Sequence, residues 1–186
     1  MIDDIVSAYI KLFPDERAKL ALLVEQIAAE DVLNNRRNFS GHITGSAIVL
    51  SPDKKKVLLI HHKQFNRWMQ PGGHWESDEE ANPLEAAKRE VVEETGVALA
   101  ENVPVDPTQP LLPLIIDSHL VTARPERDEP AHFHHDFRYV FIAKSETLKH
   151  QAAEVNAAAW FDLDAPETDN IRSAITKLQQ RKLIRT

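Results

Sequence analysis

PGGHWESDEEANPLEAAKREVVEETGVAL, residues 71–99, reads as a glycine turn, a loop, a capped helix and a glycine stop. Asn82 is suited to cap a helix, Pro83 to its first position, and Glu85 to complete a capping box. Gly96 suits the left-handed residue that ends a helix. Leu84, Ala87, Val91 and Thr95 share one face and are expected to pack inward. Glu90, Glu93 and Glu94 share another side at spacings of three and four. Like charges so placed cost a helix roughly 0.2–0.5 kcal/mol per pair. A sequence shaped by stability alone would set a lysine among them. A hard divalent cation with a taste for oxygen, Mg²⁺ or Mn²⁺, removes the repulsion. The plain alternative, a solvated acidic face, leaves the double glycine, Arg89 and the glycine stop unexplained.

Outward from this stretch the period changes. HITGSAIVL from His42 and KKVLLIHH up to His62 are rich in branched apolar residues, with Ser51-Pro52-Asp53 as a turn between them, and read as strands. Pro104, Pro107, Pro110 and Pro113 mark a loop. LLPLIIDSHLV and HFHHDFRYVFIA read as two further strands joined by ARPERDEP, and a last strand is expected around Ala158–Phe161. A helix is expected from about Thr168, with Asp169 or Asn170 as its cap.

Residues 1–36 read as a helical extension. Ile5, Val6 and Tyr9 form one apolar stripe, Pro14 interrupts, and Leu20, Leu23 and Ile27 form a second. The extension serves either as packing on the main domain or as a dimer contact.

The acidic stretch resembles the Nudix box, G-x5-E-x7-R-E-U-x-E-E-x-G-U with U aliphatic. Arg89 through Val97 match its second half at every fixed position, and Gly73 matches its opening glycine. Between them lies an insertion of two residues. Counted forward from Gly73 the middle glutamate is Glu79; counted back from Arg89 the position is Ala81, which leaves Glu79 or Glu80 for that role. Trp68 with Pro71-Gly72-Gly73, and AWFDLD from Ala159, also resemble the family's flanking segments. The resemblance implies an α+β fold: an α/β/α sandwich with a mixed β-sheet between helices, here residues 37–186, plus the N-terminal helical extension.

It also implies metal-dependent hydrolysis of a phosphoanhydride bond in a nucleoside diphosphate linked to another group. Divalent cations, Mg²⁺ or Mn²⁺, neutralise the diphosphate charge that repels a nucleophile. By resemblance Glu90, Glu93, Glu94 and the Gly72 carbonyl hold the metal, and Arg89 orients a glutamate. Glu93 or Glu154 acts as general base. His74, Arg138 and Trp68 are candidate substrate contacts, Trp68 through stacking or, alternatively, through packing that fixes the glycine turn. ADP-ribose or a nucleotide sugar is the first substrate class, because Pro113 follows Val97 by sixteen residues. A nucleoside triphosphate pyrophosphohydrolase and a non-catalytic nucleotide-binding regulator are the alternatives. A diphosphate isomerase of the same fold needs a cysteine, and this chain has none.

His132, His134 and Asp136 alternate, as do Asp117 and His119, so each set faces one side of its strand. If the two strands pair, these groups cluster, either as a second metal site or as a polar pocket wall. Phe133, Phe137, Tyr139 and Phe141 then face the core. Arg124, Arg127 and Arg138 are candidate phosphate contacts.

The net charge of −7 over 186 residues argues against general nucleic-acid binding. No run approaches ~20 apolar residues, so no membrane span is expected, and no secretory signal is read at MIDDIVSAYI. With no cysteine, disulfides and thiolate sites are excluded, which fits a cytoplasmic protein. A homodimer is expected.

Overall fold

A computed structural model of the chain describes residues 1–76, 80–149 and 155–184. In it the strand-forming stretches become β1 (His42–Leu50), β2 (Lys56–His62), β3 (Arg67–Met69), β4 (Gly72–His74), β5 (Leu99–Asn102), β6 (Ile115–Val121), β7 (His132–Ala143) and β8 (Val155–Asp162). The helices are α1 (Ile2–Leu12), α2 (Ala21–Ala28), α3 (Pro83–Thr95) and α4 (Arg172–Gln180).

All eight strands belong to one mixed sheet. β1 runs parallel to β7 along its whole length, from His42 opposite His134 to Leu50 opposite Ile142. Its other edge carries β4 at Thr44–Ser46 and β2 at Val49–Leu50, both antiparallel. β2 continues the sheet to β3 and β8, and β7 continues it to β5 and β6. Every residue of β1 is buried, as befits a strand with neighbours on both edges and helices flanking the sheet. The arrangement is the expected α/β/α sandwich.

Helix α3 forms where the sequence placed it. Asn82 Oδ1 accepts from the backbone N–H of Leu84 and Glu85 at 3.1 and 3.2 Å, and Gly96 ends the helix at φ 67°. The reciprocal half of the capping box does not form: Glu85 pairs instead with Lys88 at 2.8 Å. Leu84, Ala87, Val91 and Thr95 are buried. The helix lies so close on β1 that a Cβ at Gly45 would stand 2.4 Å from the Pro83 carbonyl oxygen.

The extension is helical only through Ala28; turns then lead to β1. Ile5, Val6, Tyr9, Leu20 and Leu23 join the same apolar core as the sheet. Lys177 of α4 donates to Tyr9 Oη at 2.9 Å and to Glu16 at 2.6 Å, tying the extension to the last helix. Neither expected cap serves α4. Residues Pro166–Ile171 form a 3-10 turn, and Ile171 precedes the helix without a side-chain cap. Asp169 accepts from Arg172 at 2.9 Å, while Asn170 donates to the Trp68 carbonyl at 2.8 Å. The strands β3, β4 and β5, of three or four residues, are too short to show a period in the sequence.

Candidate active site

β4 brings the double glycine against α3. A Cβ on Gly73 would stand 2.1 Å from Glu90 Oε1, so only a bare α-carbon leaves room for that carboxylate. One turn on, Glu94 Oε2 accepts from the Gly72 N–H at 3.1 Å. Glu93 projects outward, its side chain 57% exposed. Glu90 and Glu94 thus meet the glycine bend, and Glu93 joins them only through Arg89. Carboxylate and carbonyl oxygens are the donors a hard divalent cation takes, and Glu90, Glu93, Glu94 and the Gly72 carbonyl are the groups that would have to hold one.

Arg89 binds this group together. Its Nη1 donates to Glu90 Oε1 and Glu93 Oε2, each at 2.9 Å, and its Nη2 to the His74 carbonyl at 3.0 Å. Its Nε donates to Glu80 Oε1 at 2.5 Å. Burial works against the guanidinium's charge, but the Glu80 bond and the charges of Glu90 and Glu93 outweigh it, and the pKa is raised. Arg89 therefore spends its donors on glutamates and backbone.

Glu80 occupies the place left open between the two ends of the box. It is buried, and its other oxygen accepts from the Glu76 N–H at 2.9 Å. Trp75 Nε1 caps its carbonyl at 3.1 Å. The two extra residues are shared, since Glu80 stands one place beyond the forward count and one before the backward count. Glu79, the other candidate, lies outside the described residues, as does Glu154, one of the two candidate bases.

The facing wall comes from β1, β6 and β7. Registry sets His42 beside His134, Thr44 beside Asp136 and Ser46 beside Arg138. β6 does pair with β7, placing Asp117 opposite Asp136 and His119 opposite His134. Phe137, Tyr139 and Phe141 are buried in the core as expected, and Phe133 is half-buried. Asp136 is held by Ser46 at 2.8 Å, Thr44 at 3.2 Å and Arg138 Nε at 2.8 Å. Arg138 also reaches Asp117 at 3.4 Å. Burial opposes the Arg138 charge, yet Asp136 raises its pKa overall. Asp136 thus neutralises Arg138 and stands apart from the histidines.

The rings of His42, His74, His132 and His134 crowd together, with His42 centred 5.1 Å from His74, 5.0 Å from His132 and 4.8 Å from His134. Burial, then neighbouring cationic and imidazole groups, pushes His74 down to about 3 and His134 to about 2. Burial also lowers His42.

Between the walls opens a cleft of about 940 Å³. Glu90, Glu93, Arg89, His74, His134 and Arg138 all line it, and Arg36, Arg67, Arg124 and Arg127 add positive charge. Trp68 corrects the expectation of a substrate contact. Among the described residues, those lining the cleft include its neighbours Arg67 and Met69 but not Trp68. Alternation along β3 turns the indole the other way, edge-on to Phe161 at 4.8 Å and His61 at 5.3 Å. It packs against the hydrophobic core.

Sequence reasoning passed over His42 and Arg36. A signal for His42 was present. His42, Thr44 and Ser46 alternate along an otherwise apolar strand, which places three polar groups on one face. Arg36 lies in a turn segment without period.

The chain belongs to the Nudix hydrolase superfamily, since residues 41–181 match the NUDIX domain family. It is 32% identical over 132 residues to the m7GpppN-mRNA hydrolase NUDT17 of Danio rerio, a match spanning 64% of this chain and 41% of that relative's length. Among solved structures it resembles a NUDIX-family hydrolase from Clostridium perfringens, with TM-score 0.55, 23% identity, and coverage of 77% of this chain and 98% of that one. It also resembles the NUDIX domain of Shewanella oneidensis NrtR complexed with ADP ribose, with TM-score 0.53, 17% identity, and coverage of 86% and 97%. At those identities the two structures establish the fold.

Proposed function

We propose that this chain hydrolyses a phosphoanhydride bond in a nucleoside diphosphate joined to another moiety, with ADP-ribose and nucleotide sugars as the first substrate class. The observation that carries the reading is the approach of Glu90 and Glu94 to the Gly72–Gly73 bend, with Glu93 tied to Glu90 through Arg89, beside a cleft that several arginines line. When bound, Mg²⁺ or Mn²⁺ would neutralise the diphosphate and orient it. The protein's own residues do the rest. Arg89 fixes the glutamates in one geometry, a charge-assisted arrangement that saves reorganisation during the reaction. Glu93, the most exposed of the three, takes the proton of the attacking water. Arg138, its charge offset by Asp136, lines the cleft as a hydrogen-bond donor to a phosphate. Phe65, 44% exposed at the cleft edge with Arg67 5.7 Å from its ring, offers a face on which a nucleobase can stack.

Support for the substrate class is chemical. The cleft holds cationic side chains for phosphates and an aromatic face for a base. The mRNA-cap relative and the ADP-ribose complex both concern nucleotides bearing a pyrophosphate linkage. Triphosphate cleavage and nucleotide sensing without turnover are the rival outcomes. The protein is further proposed to act in the cytoplasm as a homodimer, with residues 1–36 contributing to the contact. The test is a panel of ADP-ribose, nucleotide sugars, dinucleoside polyphosphates, capped RNA and nucleoside triphosphates, each with Mg²⁺ and Mn²⁺, with products separated by chromatography. Cleavage of ADP-ribose or a nucleotide sugar to two monophosphates is expected. Binding without cleavage of any member overturns the enzymatic reading.

A further inference from the structure

We propose that His42, His74 and His134 form a second cation site, an all-imidazole one suited to Zn²⁺ or a similar transition metal and separate from the carboxylate cradle. One ring nitrogen of each lies within 4.8 Å of the other two. They come from three strands, β1, β4 and β7, whose registry fixes the α-carbons. In a tetrahedral site with bonds of about 2.0–2.1 Å, ligand atoms stand roughly 3.4 Å apart. His74 and His134 are only partly buried, and modest ring rotation closes the gap.

Two further observations point to a ligand. His42 is 1% exposed and its Nδ1 lies 3.1 Å from the Asn38 carbonyl. That contact requires the proton on Nδ1 and leaves Nε2 as a bare lone pair. Nε2 is fully buried and has no hydrogen-bond partner in the described structure. A histidine that donates one nitrogen to a backbone carbonyl and keeps a bare, buried second nitrogen on a ring set among other imidazoles has the arrangement of a metal ligand. Second, His132 Nδ1 donates to the Pro130 carbonyl at 2.7 Å, so its Nε2 is also bare, and it lies 3.1 Å from His134 Nε2. His134 Nε2 therefore donates to it, which leaves His134 Nδ1 as that ring's bare nitrogen.

Glu129 offsets part of the nearby positive charge: its one carboxylate is shared by Arg36 and Arg124, at 3.3 and 2.7 Å. Donor chemistry separates this site from the acidic one: imidazole selects Zn²⁺, Co²⁺ or Ni²⁺, whereas carboxylate and carbonyl oxygens select Mg²⁺. With three protein ligands a fourth position remains. His74 and His134 line the cleft, so that position faces the space where an anionic substrate would lie.

The test uses the full chain, stripped with chelator and held in excess Mg²⁺ to occupy the oxygen site. Zn²⁺ is titrated by calorimetry and Co²⁺ by visible absorption. One equivalent of Zn²⁺ and a Co²⁺ ligand-field spectrum are expected in the wild type. His74→Gln and His134→Gln should each weaken Zn²⁺ binding by about 100-fold, while Glu93→Gln and Glu94→Gln leave it unchanged. Circular dichroism checks that each variant is folded. No Co²⁺ spectrum in the wild type overturns the proposal, whatever the variants do. So does binding that survives the histidine changes and disappears with the glutamate changes. Since the readout is binding and not turnover, its outcome is independent of whether the chain cleaves nucleotides.

Discussion

Arg89 Nε lies 2.5 Å from Glu80 Oε1, across nine positions of sequence that span the loop and the first turns of α3. The Glu80 side chain is 4% exposed and that of Arg89 is 23% exposed. Removing one partner of a buried pair costs about 3–5 kcal/mol; partial exposure of Arg89 lowers the expected loss for Glu80→Gln to roughly 2 kcal/mol by the same reasoning. Urea denaturation measures it. Glu79→Gln is the control, and a larger loss there would reverse the assignment of the middle glutamate.

Gly73→Ala pushes Glu90 away from the bend, because the new methyl would stand 2.1 Å from Oε1. Turnover should fall about 10²-fold, the cost of misplacing a catalytic group by an ångström. Stability should drop by about 1–3 kcal/mol through overpacking. Adding Glu90→Ala should restore stability and leave turnover low. A double variant no more stable than the single one would show that the strain lies elsewhere.

Glu93→Gln separates chemistry from folding. Its side chain is 57% exposed, so the melting profile should move little, within about 0.5 kcal/mol. Loss of the general base should lower kcat by about 10²–10⁴-fold with substrate affinity retained. An unchanged kcat would transfer the base role to Glu154.

The two tyrosines of the chain predict its alkaline limit. Tyr9 and Tyr139 are 0% and 1% exposed. Burial raises both phenols, with further help from Glu16 at Tyr9 and from Asp136 at Tyr139. The folded state therefore keeps protons that the unfolded chain releases above about pH 10. Stability is intact below that value and falls as pH rises, by about 1.4 kcal/mol per unit for each tyrosine. Tyrosinate absorbance should appear only together with loss of the circular dichroism signal. Gradual ionisation in the folded protein would contradict the burial.

The α3 site was the most legible part of the chain, because its cues are local. Asn82, Pro83 and Gly96 punctuate the helix, and the carboxylate spacing declares a shared side. The shared faces of β6 and β7 were also readable, since His132, His134 and Asp136 alternate, as do Asp117 and His119, whereas their pairing was only a condition. Glu80 could not be chosen over Glu79, because an insertion removes the count and only the reach of Arg89 decides. His42 was hidden for another reason. It joins His134 through a parallel pairing, and parallel partners carry no turn between them to announce their register. Asp169 and Asn170 misled as helix caps because their side chains found partners in Arg172 and the Trp68 carbonyl.

That parallel pairing has a bearing on how the molecule assembles. Thr44 meets Asp136 across 92 positions, and Tyr9 meets Lys177 across 168. Closing such long loops costs entropy before any contact repays it, and topologies of this kind fold slowly. During synthesis α3 and its glutamates emerge well before β7. Until then β1, apolar along most of its length, has one edge without its final neighbour. It is the segment most in need of shielding on the ribosome, and the pocket comes into being as a late, cooperative event.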